Sequence, residues 1–112
     1  MHKEIKILPG VEDFLNILPS ILVAEGYKSN IENAINYVDE ILSFIKALPF
    51  SQHYNVPENS TYYRKYGKNL KYSFFRRKSS RKTTWYIFFE LHNNKILVKH
   101  ISNNWTEGQF IR

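Results

Sequence analysis

The 112-residue chain contains no cysteine. A disulfide scaffold, a zinc ribbon and a thiol nucleophile are excluded together. Glycine is scarce as well, with four in all, and no phosphate-cradling glycine loop is present. Long apolar runs are missing: the longest, Trp85 to Phe89, is about five residues against roughly twenty for a membrane span. No apolar stretch follows Met1-His2-Lys3-Glu4, so neither a signal peptide nor a membrane segment is expected, and a cytoplasmic location is. His2, His53, His92 and His100 lie far apart, and only His2 with Glu4 and His92 with Glu90 have a close carboxylate. Two ligands do not make a metal site, so no metal or other cofactor is expected. Asn59-Ser60-Thr61 and Asn104-Trp105-Thr106 match the glycosylation sequon by chance in a chain without a secretory signal.

What the chain has is hydrophobic content of 43%, aromatic content of 16% and a pronounced charge split. The apolar content suffices for a core and argues against global disorder. The length fits one domain, residues 1–112, that buries roughly two thirds of its unfolded surface. Residues 1–60 carry 4 Lys/Arg against 8 Asp/Glu, and residues 61–112 carry 12 against 2, which together give the net +6. Such asymmetry implies one strongly positive surface that concentrates an anionic partner. The plain alternative is a solvated surface that aids solubility.

Ile5 and Ile7 alternate with Glu4 and Lys6, which predicts a short strand ended by Pro9-Gly10. Val11, Phe14, Leu15, Leu18 and Leu22 recur at helical spacing, with Pro19 expected to kink or restart the helix and Gly26 to stop it. Ser29 and Glu32 read as a capping box ahead of a second helix whose stripe is Ile31, Ala34, Ile35, Val38, Leu42 and Ile45. Pro49 closes it. Residues 50–69 read as a connection anchored by some of Tyr54, Tyr62, Tyr63 and Tyr66, long enough to be functional or partly structured. Leu70–Lys78, Thr83–Leu91 and Ile96–Ser102 read as strands, joined by turns at Ser79–Lys82 and His92–Lys95. The expectation is an α+β fold: an N-terminal strand, two helices packed on one sheet face, and a three-stranded antiparallel meander with its other face partly open.

Three pieces carry a family likeness: the helix end Phe44-Ile45-Lys46-Ala47-Leu48-Pro49, the aromatic strand Trp85-Tyr86-Ile87-Phe88-Phe89, and the closing Ile96-Leu97-Val98-Lys99-His100-Ile101. With the element order, they make the chain resemble the RelE/ParE toxin superfamily from Lys3 to about Trp105. The resemblance implies a toxin of a bacterial type II toxin–antitoxin pair, neutralised by a cognate antitoxin. Some members cleave messenger RNA on the ribosome and others poison DNA gyrase. In the ribonuclease branch the sheet face away from the helices bears Arg and Lys, with a Tyr or His near the end of the last strand. Here Thr84 and Trp85 stand where the family often opens the next strand with Arg. The last strand ends Asn103-Asn104-Trp105, with His100 earlier.

Cleavage of an RNA backbone needs a base at the 2′-hydroxyl, cations around the phosphorane and an acid for the leaving oxygen. His100 is the candidate acid or base, since histidine ordinarily titrates near neutral pH. Arg77 could hold the phosphate bidentately and Lys71 add charge; strand alternation places these two on one face and leaves that of His100 open. Arg76, Lys78, Arg81, Lys82 and Lys99 are the candidate phosphate contacts, and Trp105 a base-stacking residue. A packed histidine, edge-protecting cations and core aromatics are the ordinary readings of the same residues. Besides RNA or the ribosome and an antitoxin, the alternatives are a gyrase inhibitor and a non-catalytic binding module.

Overall fold

A computed structural model describes residues 4–26, 28–57, 60–77 and 80–104, with the backbone alone for residues 61, 77 and 80–82. Its elements are β1 (Glu4–Ile7), α1 (Pro9–Ala24), α2 (Ile31–Lys46), β2 (Tyr54–Asn55), β3 (Lys71–Arg77), β4 (Ser80–His92) and β5 (Lys95–Asn103), with 3-10 helices at Leu48–Phe50 and Thr61–Tyr66. The strands form one five-stranded mixed sheet in the order β1-β5-β4-β3-β2. β1 runs parallel to β5, and the other pairs are antiparallel. No described helix is long and apolar enough to cross a membrane.

Pro9 occupies the first turn of α1, where its missing N–H costs nothing, so Pro9-Gly10 opens the helix as well as ending β1. The expected restart at Pro19 does not occur: α1 continues to Ala24, held by the buried Leu15, Leu18 and Leu22 on either side of the lost hydrogen bond. Gly26 supplies the left-handed stop, φ 78°. In α2 the cap is Asn30, one residue later than expected, whose side chain accepts the Asn33 N–H at 2.9 Å. Asparagine caps as well as serine, which explains the shift.

Both helices pack on one sheet face. Val11, Leu15, Leu18 and Leu22 of α1 and Ala34, Tyr37, Val38, Ile41 and Ile45 of α2 meet Trp85, Ile87, Phe89, Ile96, Val98 and Ile101. Trp85 Nε1 donates to the Tyr37 hydroxyl at 2.7 Å within this core. Phe44 stacks on Phe75 with centroids 4.6 Å apart.

The connection between α2 and β3 is structured and changes sides. His53 lies edge-on to Phe89 on the helix side, with its Nε2 2.7 Å from the Leu48 carbonyl. Ser73 Oγ donates to the Gln52 carbonyl. Tyr54, the next residue, stacks on Tyr72 and Phe74 of the opposite face. The chain therefore crosses the sheet edge at β2 and lays Thr61–Tyr66 on the side away from the helices. There Tyr63, Leu70 and Phe88 form a second small core. The outer face, expected to be partly open, is covered at its centre.

The layers differ in charge. α1 and α2 carry five carboxylates, Glu12, Asp13, Glu32, Asp39 and Glu40, against Lys46 alone, whereas Glu90 is the one acid in β3–β5.

Candidate nucleic-acid interface

Two alternating side-chain sets define the sheet. Trp85, Ile87 and Phe89 of β4 enter the helix-side core, so Tyr86, Phe88 and Glu90 occupy the outer face. Opposite residues in an antiparallel pair share a face. Tyr72 opposes Phe88, Phe74 opposes Tyr86 and Arg76 opposes Thr84, which brings the three β3 side chains to the outer face as well.

The result is a continuous band of rings. Tyr54 stacks on Tyr72 and on Phe74, both at 5.4 Å, and Tyr86 lies 6.2 Å from each of those two. Tyr72 reaches Phe88 at 5.9 Å, and Phe88 stacks on Tyr63 at 4.5 Å. Phe74 is 41% exposed, unusual for phenylalanine on a folded sheet, and Tyr54, Tyr72 and Tyr86 are half-buried. Burial, followed by the neighbouring phenols of Tyr86 and Tyr54, raises the Tyr72 pKa above its ordinary value. Arg76 ends the band on β3, its Nε donating to Thr84 Oγ1 at 2.8 Å.

A register shift in β5 organises the other end. His100 opposes Phe88 while Val98 opposes Phe89, so Lys99 is the extra residue of a β-bulge. The bulge directs both Lys99 and His100 to the outer face. His100 stacks on Tyr66 at 4.0 Å and approaches Phe88 at 5.6 Å. Lys99 Nζ lies 3.4 Å from Glu90 Oε1, and His92 Nε2 lies 3.1 Å from the same oxygen. Burial pushes the Glu90 carboxyl up, but the His92 hydrogen bond and the charge and hydrogen bond of Lys99 outweigh it and hold it below the ordinary glutamate value. Gly67 passes directly over this carboxylate, and a Cβ there would collide with it.

His100, Lys99 and Arg76 therefore share one face. Lys71 does not. It opposes Phe89, a helix-side residue, and its Nζ donates to Asn55 Oδ1 at 2.6 Å. The face of His100, left open by the sequence, is the one opposite Lys71, so the two candidate catalytic residues are not brought together. The pairing also slips between Arg76 and Arg77, where β4 carries extra residues and the Arg77 backbone opposes Ser80; the Arg77 side chain, expected on the face of Lys71, lies outside what the structure describes. Arg81 and Lys82 belong to β4 rather than to a turn, because the strand begins at Ser80. Lys78 and Trp105 lie outside the described residues. Lys99, expected to contact phosphate, is engaged by Glu90.

The sequence reading missed Tyr66 and Glu90 as neighbours of His100 and Lys99. The tyrosine density of residues 50–69 was the available signal for Tyr66; no sequence pattern announces the bulge. Among the described residues no three His, Cys, Asp or Glu side chains come together as a metal centre. No family model, curated protein or solved structure matches the chain.

Proposed function

We propose that the chain is a RelE/ParE-type toxin that binds single-stranded RNA on the sheet face opposite its helices and is neutralised by a partner antitoxin. The observation that carries this reading is the ring band from Tyr54 to Tyr86, shared on one face with Arg76, Lys99 and His100. Unpaired bases stack on such rings at roughly 1–3 kcal/mol each, and cations along the band hold the phosphates. The acidic helix layer and cationic sheet would orient the polyanion toward this face. The α+β fold, two helices on a five-stranded mixed sheet, supports the reading at the level of fold class.

In the cleaving form of this reading, His100 exchanges the proton at the 2′-hydroxyl or the leaving oxygen, with Tyr66 fixing the plane of its ring. Arg76, four residues along the sheet from the Phe88–His100 pair, holds a neighbouring phosphate of the same strand. Glu90 positions Lys99. A second reading, a non-nuclease toxin acting on gyrase or another target, is favoured by two observations: His100 is packed among Tyr66, Phe88 and Tyr63, and Lys71 is on the other face.

Ectopic expression tests toxicity, with growth arrest relieved by the neighbouring frame as the supporting result. Primer extension on total RNA then separates the readings. Ribosome-dependent cuts that vanish in His100→Ala support the nuclease, whereas arrest without cuts supports the second reading. Absence of arrest contradicts both.

A further inference from the structure

Beside the outer face, where the chain turns around the sheet edge, a cleft of about 890 Å³ opens between the end of β2 and the segment from Thr61–Tyr66 to the start of β3. Its size is that of sites for small organic ligands, typically 300–1,000 Å³. Val56, Tyr63 and Leu70 give it apolar walls, and Arg64, Lys68 and Lys71 give it three cations; none of its described lining residues is acidic. Lys71 Nζ donates to Asn55 Oδ1, another residue of the cleft lining, at 2.6 Å. Tyr63, 1% exposed and stacked on Phe88, is a rigid wall, since moving it would open the second core. Apolar walls with cations converging at the rim suit a ligand that has a flat apolar body and a compact anion.

We propose that this cleft binds a phosphorylated nucleoside, with the phosphate at Arg64, Lys68 and Lys71 and the base against the adjoining Val56 and Leu70, whose backbones are joined by the Val56 N–H to Leu70 carbonyl bond. The ligand is a free mononucleotide or the 5′-phosphorylated end of an RNA strand. The site adjoins the ring band on the outer face, with which it shares Tyr63 alone. This placement gives Lys71 a role that its position away from His100 otherwise denies it.

Calorimetric titration of the intact protein with AMP, adenosine and inorganic phosphate tests the site. AMP should bind about tenfold or more tighter than either fragment, because the cations and the apolar walls are satisfied together. The Lys68→Ala/Lys71→Ala variant should lose about tenfold in AMP affinity, while Phe74→Ala, on the ring band, should keep it; circular dichroism checks that both variants fold. Hexa-adenylate with a 5′-phosphate, set against the 5′-hydroxyl form, separates the sources. A phosphate-dependent gain assigns the site to an RNA end, and AMP binding without that gain assigns it to a free nucleotide. No saturable binding of either AMP or the 5′-phosphorylated strand, or AMP affinity unchanged in the double variant, overturns the proposal.

Discussion

The imidazole of His100 lies flat on the phenol ring of Tyr66, with centroids 4.0 Å apart and planes 11° from parallel. The two residues come from segments joined only by the tertiary fold. A 3-10 turn in a long connection supplies one ring, and a bulge in the last strand turns the other toward it.

That stack predicts a spectroscopic signature. Ring-current shielding by Tyr66 should move the His100 ring protons upfield in the NMR spectrum. Tyr66→Phe should preserve the shift and Tyr66→Ala should abolish it. If His100 is the acid or base of an RNA cleavage, Tyr66→Ala should also slow cutting while Tyr66→Phe leaves it near the parent rate. Equal cutting in all three would remove Tyr66 as a positioning residue.

The ring band predicts a second set of effects. Phe74→Ala and Tyr86→Ala should each weaken binding of a short single-stranded RNA by about 5- to 150-fold, the range that one lost base stack gives. Arg76→Ala should instead reduce the salt dependence, lowering the slope of log K against log salt by about 0.7 for one lost phosphate contact on a single strand. Fluorescence anisotropy across a salt series measures both.

Glu90 predicts a pH dependence of stability. Its carboxyl lies below the ordinary glutamate value in the folded chain, so the folded state binds that proton less readily than the unfolded state. The resulting stabilisation is present above the ordinary glutamate range and is lost as pH falls through the lowered folded value. Glu90→Gln should therefore flatten the acid side of the Tm-against-pH curve. The same substitution should leave Tm less changed in strong acid than at neutral pH.

Two buried positions should respond in opposite ways. Ile41 is fully buried between α2 and the sheet, and Ile41→Ala should cost about 2–5 kcal/mol in lost burial and cavity. Ser102 is buried on the outer side, opposite Tyr86, and its hydroxyl has no hydrogen-bond partner among the described residues. Ser102→Ala should be neutral or stabilising, because it removes a polar group that burial already penalises. Urea denaturation of both variants checks the contrast.

The helices and the meander were legible because apolar spacing at 3.6 or 2 residues is a property of local sequence. Ala34, Val38 and Ile45 follow from one helical stripe, although Ile31 and Ile35 of that stripe are exposed and Ile41 and Tyr37 take their place in the core, and Trp85, Ile87 and Phe89 follow from one strand face. The layout of the candidate site was not, because it depends on register. One extra residue at Lys99 re-aims His100, and extra residues on β4 between the partners of Arg76 and Arg77 shift the register at that end of the sheet. The path of residues 51–66 was also hidden. Its tyrosines advertise burial but not which face they cover, and the crossing at β2 is fixed by two strand pairs, Tyr54 with Tyr72 and Asn55 with Lys71.

The most direct test of the account is a titration of isotope-labelled protein with a short single-stranded RNA, followed residue by residue by NMR. Binding through the ring band predicts that the largest shifts fall on Tyr72, Phe74, Arg76, Tyr86 and His100, with α1 and α2 unmoved. Shifts centred on the acidic helices, or no saturable shift at all, would contradict it.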